Sequence, residues 1–163
     1  PFEPMEEASA RLELLRRYFT HFGPATIKDA AYFFGTTQSQ VKSYLSALPL
    51  EITNLDGKAY FSVDTVSSID QIPDCLFLAG FDQFLLGYDK TESLVLPKAH
   101  LRDIYNLAGI VRPAVLVKGQ VAGWWNLKGH KLKIALFSPA DRKMITDTAK
   151  LQWPDLKDIT FEP

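Results

Sequence analysis

Between Gly23-Pro24 and Gly35 the chain has room for one short helix and nothing longer, and that restriction shapes the whole first third of the sequence. Proline cannot continue a preceding helix, and glycine readily takes the left-handed conformation that ends one. Inside this window Ile27, Ala30, Ala31 and Phe34 recur at i, i+3, i+4 and i+7, which makes one apolar face. Thr26 is placed to cap that helix, with Asp29 in its first turn. Thr37-Gln38-Ser39-Gln40 then has the spelling of a capping box, so a further helix opens there with Val41, Tyr44, Leu45 and Leu48 inward. Upstream, Leu12, Leu15, Phe19 and Phe22 predict a helix over 8–22. Two short helices joined by a tight turn have the layout of a helix-turn-helix. After Pro49, the strand-like runs 51–55 and 58–62 flank Asp56-Gly57, a pair suited to the positive φ angles of a type I′ turn, and predict a β-hairpin wing.

A mixed, polar stretch follows, and the domain boundary is placed at residues 70/71 within it. Beyond it, Cys75 to Leu78 and Phe84 to Leu86 are short apolar runs, and a short helix is predicted within 96–108, limited by Pro97 and Gly109. Pro113 to Phe137 reads as an antiparallel meander that turns at Lys118-Gly119 and again at Asn126 to His130. Ser138-Pro139 is expected to cap a last helix reaching Leu151. The expected fold is therefore α+β: an N-terminal winged helix-turn-helix over 1–70, then a small antiparallel β-rich unit with a C-terminal helix over 71–163.

Composition excludes several classes. Apolar residues are 47% of the 163 and charged residues 23%, ordinary values for a globular chain. No run approaches the roughly 20 apolar residues of a membrane span, and the first residues lack the layout of a signal peptide, so a cytoplasmic location without a membrane partner is expected. Cys75 has no second thiol, and His21, His100 and His130 are scattered without ligand spacing. No metal or other cofactor is expected. Residues 1–70 hold six Lys/Arg against nine Asp/Glu, whereas 71–163 hold twelve against ten. Between Ile104 and Ala140 there is no acid at all, and Arg112, Lys118, Lys128, Lys131 and Lys133 supply five positive charges.

Two surfaces follow as candidates for contacting double-stranded DNA. Gln38, Ser39, Gln40, Lys42, Ser43 and Ser46 form the outer face of the third helix, the element that enters the major groove in helix-turn-helix proteins, with Lys58 on the hairpin. The five cations of the acid-free stretch could grip phosphates, with Lys131 and Lys133 on one strand face and Lys118 and Lys128 at the turns. Each surface has a plainer reading. One lysine is a thin basis for nucleic-acid affinity, the acidic balance of the first half suits a protein-interaction module, and edge-strand lysines also deter aggregation. Trp124 and Trp125 must point to opposite faces of a strand, so at most one is core and the other is open to stacking on a base or packing on another domain. Asp82 and Asp89 are carboxylates in an apolar segment, open either to acid-base chemistry or to capping a turn and pairing with an arginine such as Arg112 or Arg102.

Three stretches resemble the AlkZ-like family of bacterial winged-helix DNA-binding proteins, which includes DNA glycosylases acting on interstrand crosslinks and alkylated bases. They are 22–26 (FGPAT), 81–90 (FDQFLLGYDK) and 109–125 (GIVRPAVLVKGQVAGWW), and the resemblance runs from Leu12 to Leu151. Its motif residues are Phe81, Asp82, Tyr88, Asp89, Arg112, Pro113 and Trp124. Lys90 stands where the family usually has Arg, and Ala79-Gly80 replaces a Pro-containing lead-in. The resemblance implies a tandem winged-helix parent of which this chain is the C-terminal, non-catalytic portion, with further winged-helix domains upstream as its partners. Family glycosylases carry a catalytic Gln-x-Gln or Gln-x-Asp pair in their N-terminal part. Gln38-Ser39-Gln40 shares the spelling but not the place, so no catalytic residue is expected here.

Overall fold

A computed structural model describes residues 4–64 and 72–162 as a mixed α+β protein, and the boundary expected at 70/71 lies outside the described residues. The chain divides into two compact units. One holds the described residues up to 64 together with 86–89; the other holds 72–85 and 90–162.

The first unit contains α1 (Glu7–His21), α2 (Ile27–Phe34), α3 (Gln38–Leu45) and an antiparallel pair, β1 (Glu51–Leu55) and β2 (Lys58–Ser62). Its boundaries follow local chemistry. Thr26 and Thr37 each close a capping box, with Asp29 and Gln40 returning to the cap, and Gly35 ends α2 at φ 60°. Asp56 and Gly57 take φ 48° and 75°, as a two-residue primed turn demands. Leu15, Tyr18, Phe19, Ala30, Val41 and Leu48 form the core, to which Phe61 of β2 and Tyr88 of the returning segment add. β2 is tied to the start of α2 by the Ala25–Phe61 bridge, with N–O distances of 3.0 and 2.8 Å.

The second unit is a five-stranded sheet in the order β3 (Cys75–Leu78), β4 (Ala114–Val117), β5 (Gln120–Lys128), β6 (Lys131–Leu136), β7 (Asp158–Glu162). β4, β5 and β6 form the antiparallel meander expected over 113–137, and β3 adds to it antiparallel. The first turn falls at Lys118-Gly119 as expected, while the second narrows to Gly129-His130 because β5 runs on as strand through Asn126 to Lys128. The fifth strand was not foreseen. β7 runs parallel to β6, pairing Lys131 with Asp158 and Ala135 with Glu162, and α6 (Arg142–Gln152) makes the crossover. One sheet face carries Phe77, Val115, Trp125, Leu132 and Ile134 and packs against Ile145 and Ala149 of α6.

Two details depart from expectation. Asp141, not Ser138, caps the last helix, accepting the Met144 amide at 3.0 Å, because its carboxylate sits three residues ahead of that amide and Pro139 falls before the cap. The helix expected within 96–108 is one turn of 3-10 helix, Lys98–His100, running into α5 (Leu101–Ile104). The remaining short helix, α4, spans Gln83–Leu86. A shift of register between Val115 and Leu116 places Ala122 as the extra residue of a β-bulge, so Val121 and Gly123 face opposite sides of β5 although two residues apart. Among the described residues no helix is long and apolar enough to cross a membrane.

Candidate nucleic-acid interface

In the first unit the outer face of α3 is exposed at Gln38, Ser39, Gln40, Lys42, Ser43 and Ser46. These residues are not equally available. The Gln40 side-chain oxygen accepts the Thr37 amide and hydroxyl, each at 3.2 Å, and also the Thr36 hydroxyl, so its carbonyl end belongs to the cap. The Ser43 hydroxyl donates to the Gln40 carbonyl at 2.8 Å. Gln38, Ser39, Lys42 and Ser46 are left as the side chains without such an intrahelical task. Lys58 opens β2 next to the Asp56-Gly57 turn and is exposed.

In the second unit the five cations do not form one surface. Lys118 occupies the β4–β5 turn at φ 48°, whereas Lys128 and Lys131 flank the Gly129-His130 turn at the opposite end of β5. Nine residues of strand separate the two turns, roughly 27 Å at about 3.3 Å per residue. Lys128, Lys131 and Lys133 do share one face, opposite to the face that α6 covers, as the β5–β6 register requires. That face also receives carboxylates from β7. Lys133 Nζ lies 2.5 Å from Glu162 Oε1, and Lys131 is in register with Asp158. Arg112 turns back onto its own sheet, its guanidinium 5.0 Å from the centre of the Trp124 ring. No carboxylate among the described residues pairs with Lys118, Lys128 or Lys131.

The acid-free stretch is thus a property of the sequence that the fold partly undoes. Glu162 was missed because β7 was missed, although Ile159 and Phe161 alternate with polar residues after Pro154-Asp155 and carry the period of a strand.

The motif residues resolve into structural tasks. Asp82 accepts the Phe84 amide at 2.9 Å in a turn that Phe81 enters at φ 58°. Asp89 is buried and lies 3.4 Å from Lys28 Nζ, while its amide donates to Asp29 Oδ1 at 2.9 Å. Asp29 also accepts the Thr26 amide at 2.8 Å, so one buried carboxylate caps α2 and anchors the returning segment. The Tyr88 hydroxyl donates to the Phe22 carbonyl at 2.9 Å, and its pKa is raised first by burial and then by Asp29. Asp82 therefore caps a turn and Asp89 finds a lysine, the first of the two tasks sequence allowed and a variant of the second. Pro113 packs where a Cβ on Gly80 would come within 3.6 Å of its ring. Trp125 is the core member of the tryptophan pair, wedged between Phe77 and Trp153 with its indole N–H donating to Leu78 O at 2.9 Å. Among the described residues no group of three or more His, Cys, Asp or Glu side chains could hold a metal ion, and burial raises the pKa of the Cys75 thiol, which keeps it an inert core residue.

The order of these elements agrees with comparison to known proteins. The chain belongs to the AlkZ-like DNA glycosylase family, whose model, described as "DNA glycosylase AlkZ-like", matches residues 1–151. Among curated relatives it is 26% identical over 149 residues to an interstrand DNA cross-link repair glycosylase of Streptomyces sahachiroi, a match covering 86% of this chain and 39% of that protein. Among solved structures it matches the Streptomyces sahachiroi DNA glycosylase AlkZ with a TM-score of 0.82 at 20% identity, over 99% of this chain and 48% of the other. The chain thus spans less than half the length of the relatives it matches.

Proposed function

We propose that this chain is the C-terminal, DNA-gripping portion of an AlkZ-like glycosylase and is not itself the part that excises bases. The observation that carries the reading is the family match across residues 1–151. In this reading the first unit is a winged helix-turn-helix. Gln38, Ser39 and Lys42 of α3 meet base edges and backbone, and the β1–β2 hairpin with Lys58 serves as the wing. Gln40 and Ser43 hold the helix start in shape for them. In the second unit Lys128 and Lys131 grip phosphate at one end of the sheet and Lys118 at the other, while Arg112 and Lys133 contribute less, being engaged with Trp124 and Glu162. The partners are double-stranded DNA and the winged-helix domains that precede this portion in the parent, and the whole acts in the cytoplasm.

Binding of the chain to a short duplex should weaken steeply with salt, since each neutralised phosphate releases counterions. The double variant K128E/K131E should lower affinity at least tenfold and reduce the salt slope by about 2. Duplex binding absent even at about 50 mM salt would remove the reading. A second reading, a protein-interaction module, draws on one feature: Lys42 is the single cation on the α3 face. Capture of a protein partner by a chain that gives no duplex shift selects it.

A further inference from the structure

Residues Ile104 to Arg112 form a narrow hairpin-like arm. Arg112 donates its amide to Ile104 O at 2.9 Å, Tyr105 bridges Val111, and the Asn106 amide donates to Ile110 O at 3.1 Å. The tip, Leu107 to Gly109, is held by Asn106 as well: its carbonyl accepts the Gly109 amide at 3.3 Å and its side-chain oxygen accepts the Ile110 amide at 2.8 Å. Gly109 supplies the φ of 80° that the turn requires. This fixed tip presents Leu107 at 88% exposure and Ile110 at 45%. Leu107 is the most exposed of the chain's large apolar side chains among the described residues.

We propose that this arm is an apolar wedge that enters a base step of duplex DNA, an inference that rests on the DNA-binding reading above. Three observations select that occupant. The arm from Ile104 to Arg112 carries no carboxylate and ends on one cation, Arg112, so nothing on it repels a phosphate backbone. Arg112 sits at its base, three residue levels below the tip, about 10 Å at the rise of a strand. A groove is about 7.5–8.5 Å deep, so the tip reaches the base edges as the guanidinium comes level with the backbone. Stacking on Trp124 leaves the guanidinium edge able to donate to phosphate. The tip is also the right size. Two apolar side chains on one turn suit a single opened base step, whereas an interfacial membrane anchor or a protein interface needs a broader apolar face.

The test uses the full chain and duplexes carrying 2-aminopurine, a base whose fluorescence rises on unstacking, placed in turn at each step of the bound site. Saturating protein should raise the emission severalfold at one step. L107S and I110S should abolish that rise, while L151S, which removes an exposed leucine of α6, should keep it. An emission that stays flat at every step while the protein binds, or a rise per bound protein that L107S leaves unchanged, overturns the wedge and leaves DNA binding standing. No binding at about 50 mM salt overturns both.

Discussion

The Tyr18 hydroxyl donates to the Gly87 carbonyl at 2.7 Å from a side chain that is 2% exposed, and its pKa is raised, first by burial and next by the nearby Asp29 carboxylate. The folded protein therefore resists ionising a phenol that the unfolded chain ionises near pH 10. Stability is complete below that pH and is lost as pH climbs past it. Tyr18→Phe should lower stability at neutral pH by about 1 kcal/mol, because it leaves the Gly87 carbonyl unmet, and should make the alkaline loss shallower. Urea unfolding at neutral pH and at about pH 11 measures both effects, and an unchanged alkaline slope would refute the assignment. A second single-residue test concerns Thr37. Its hydroxyl accepts the Gln40 amide at 3.2 Å, so Thr37→Ala should cost about 1 kcal/mol and fray the start of α3, seen as faster amide exchange at Gln40.

At the scale of elements the sheet is strictest at Gly123. A Cβ there would meet the Ala135 carbonyl oxygen at 2.1 Å, and that oxygen belongs to the neighbouring strand backbone, which cannot step aside as a flexible side chain could. Gly123→Ala should therefore part β5 from β6 and destabilise the second unit by about 3 kcal/mol, read as a lower urea midpoint followed by tryptophan fluorescence. This glycine and its neighbours Trp124 and Trp125 form the part of the fold that was most legible in sequence. Alternation predicted the meander, and two adjacent tryptophans on a strand must part company. The helices of the first unit were equally legible because Gly23-Pro24, Thr26, Gly35 and Thr37 act within a few residues of themselves. What sequence could not supply was long-range pairing. β7 joins β6 only after α6 has crossed, and no local signal announces that Glu162 will arrive beside Lys133. The candidate site suffered from the same blindness: the lysines were visible one by one, but their opposite ends and their counter-charges exist only in three dimensions.

For the whole molecule, a net charge of −1 means that any grip on phosphate is local and competes with the protein's own acids. β7 lies beyond the family-matched residues 1–151, and its Glu162 engages Lys133. With both side chains nearly half exposed, the ion pair contributes little to folding. If the lysine face binds duplex as proposed, Glu162→Gln should leave stability nearly unchanged and raise duplex affinity by about threefold at low salt, a gain that vanishes as salt rises. Titrations at two salt concentrations check it, and equal affinities at low salt would argue against that face. The return of residues 86–89 to the first unit has a practical corollary for anyone recombining such genes. A graft cut at residue 70 would carry Tyr18 and Asp29 but leave behind the Gly87 carbonyl and the Asp89 amide that satisfy them. To transplant the helical module intact, one must splice in a second, separate piece of the gene.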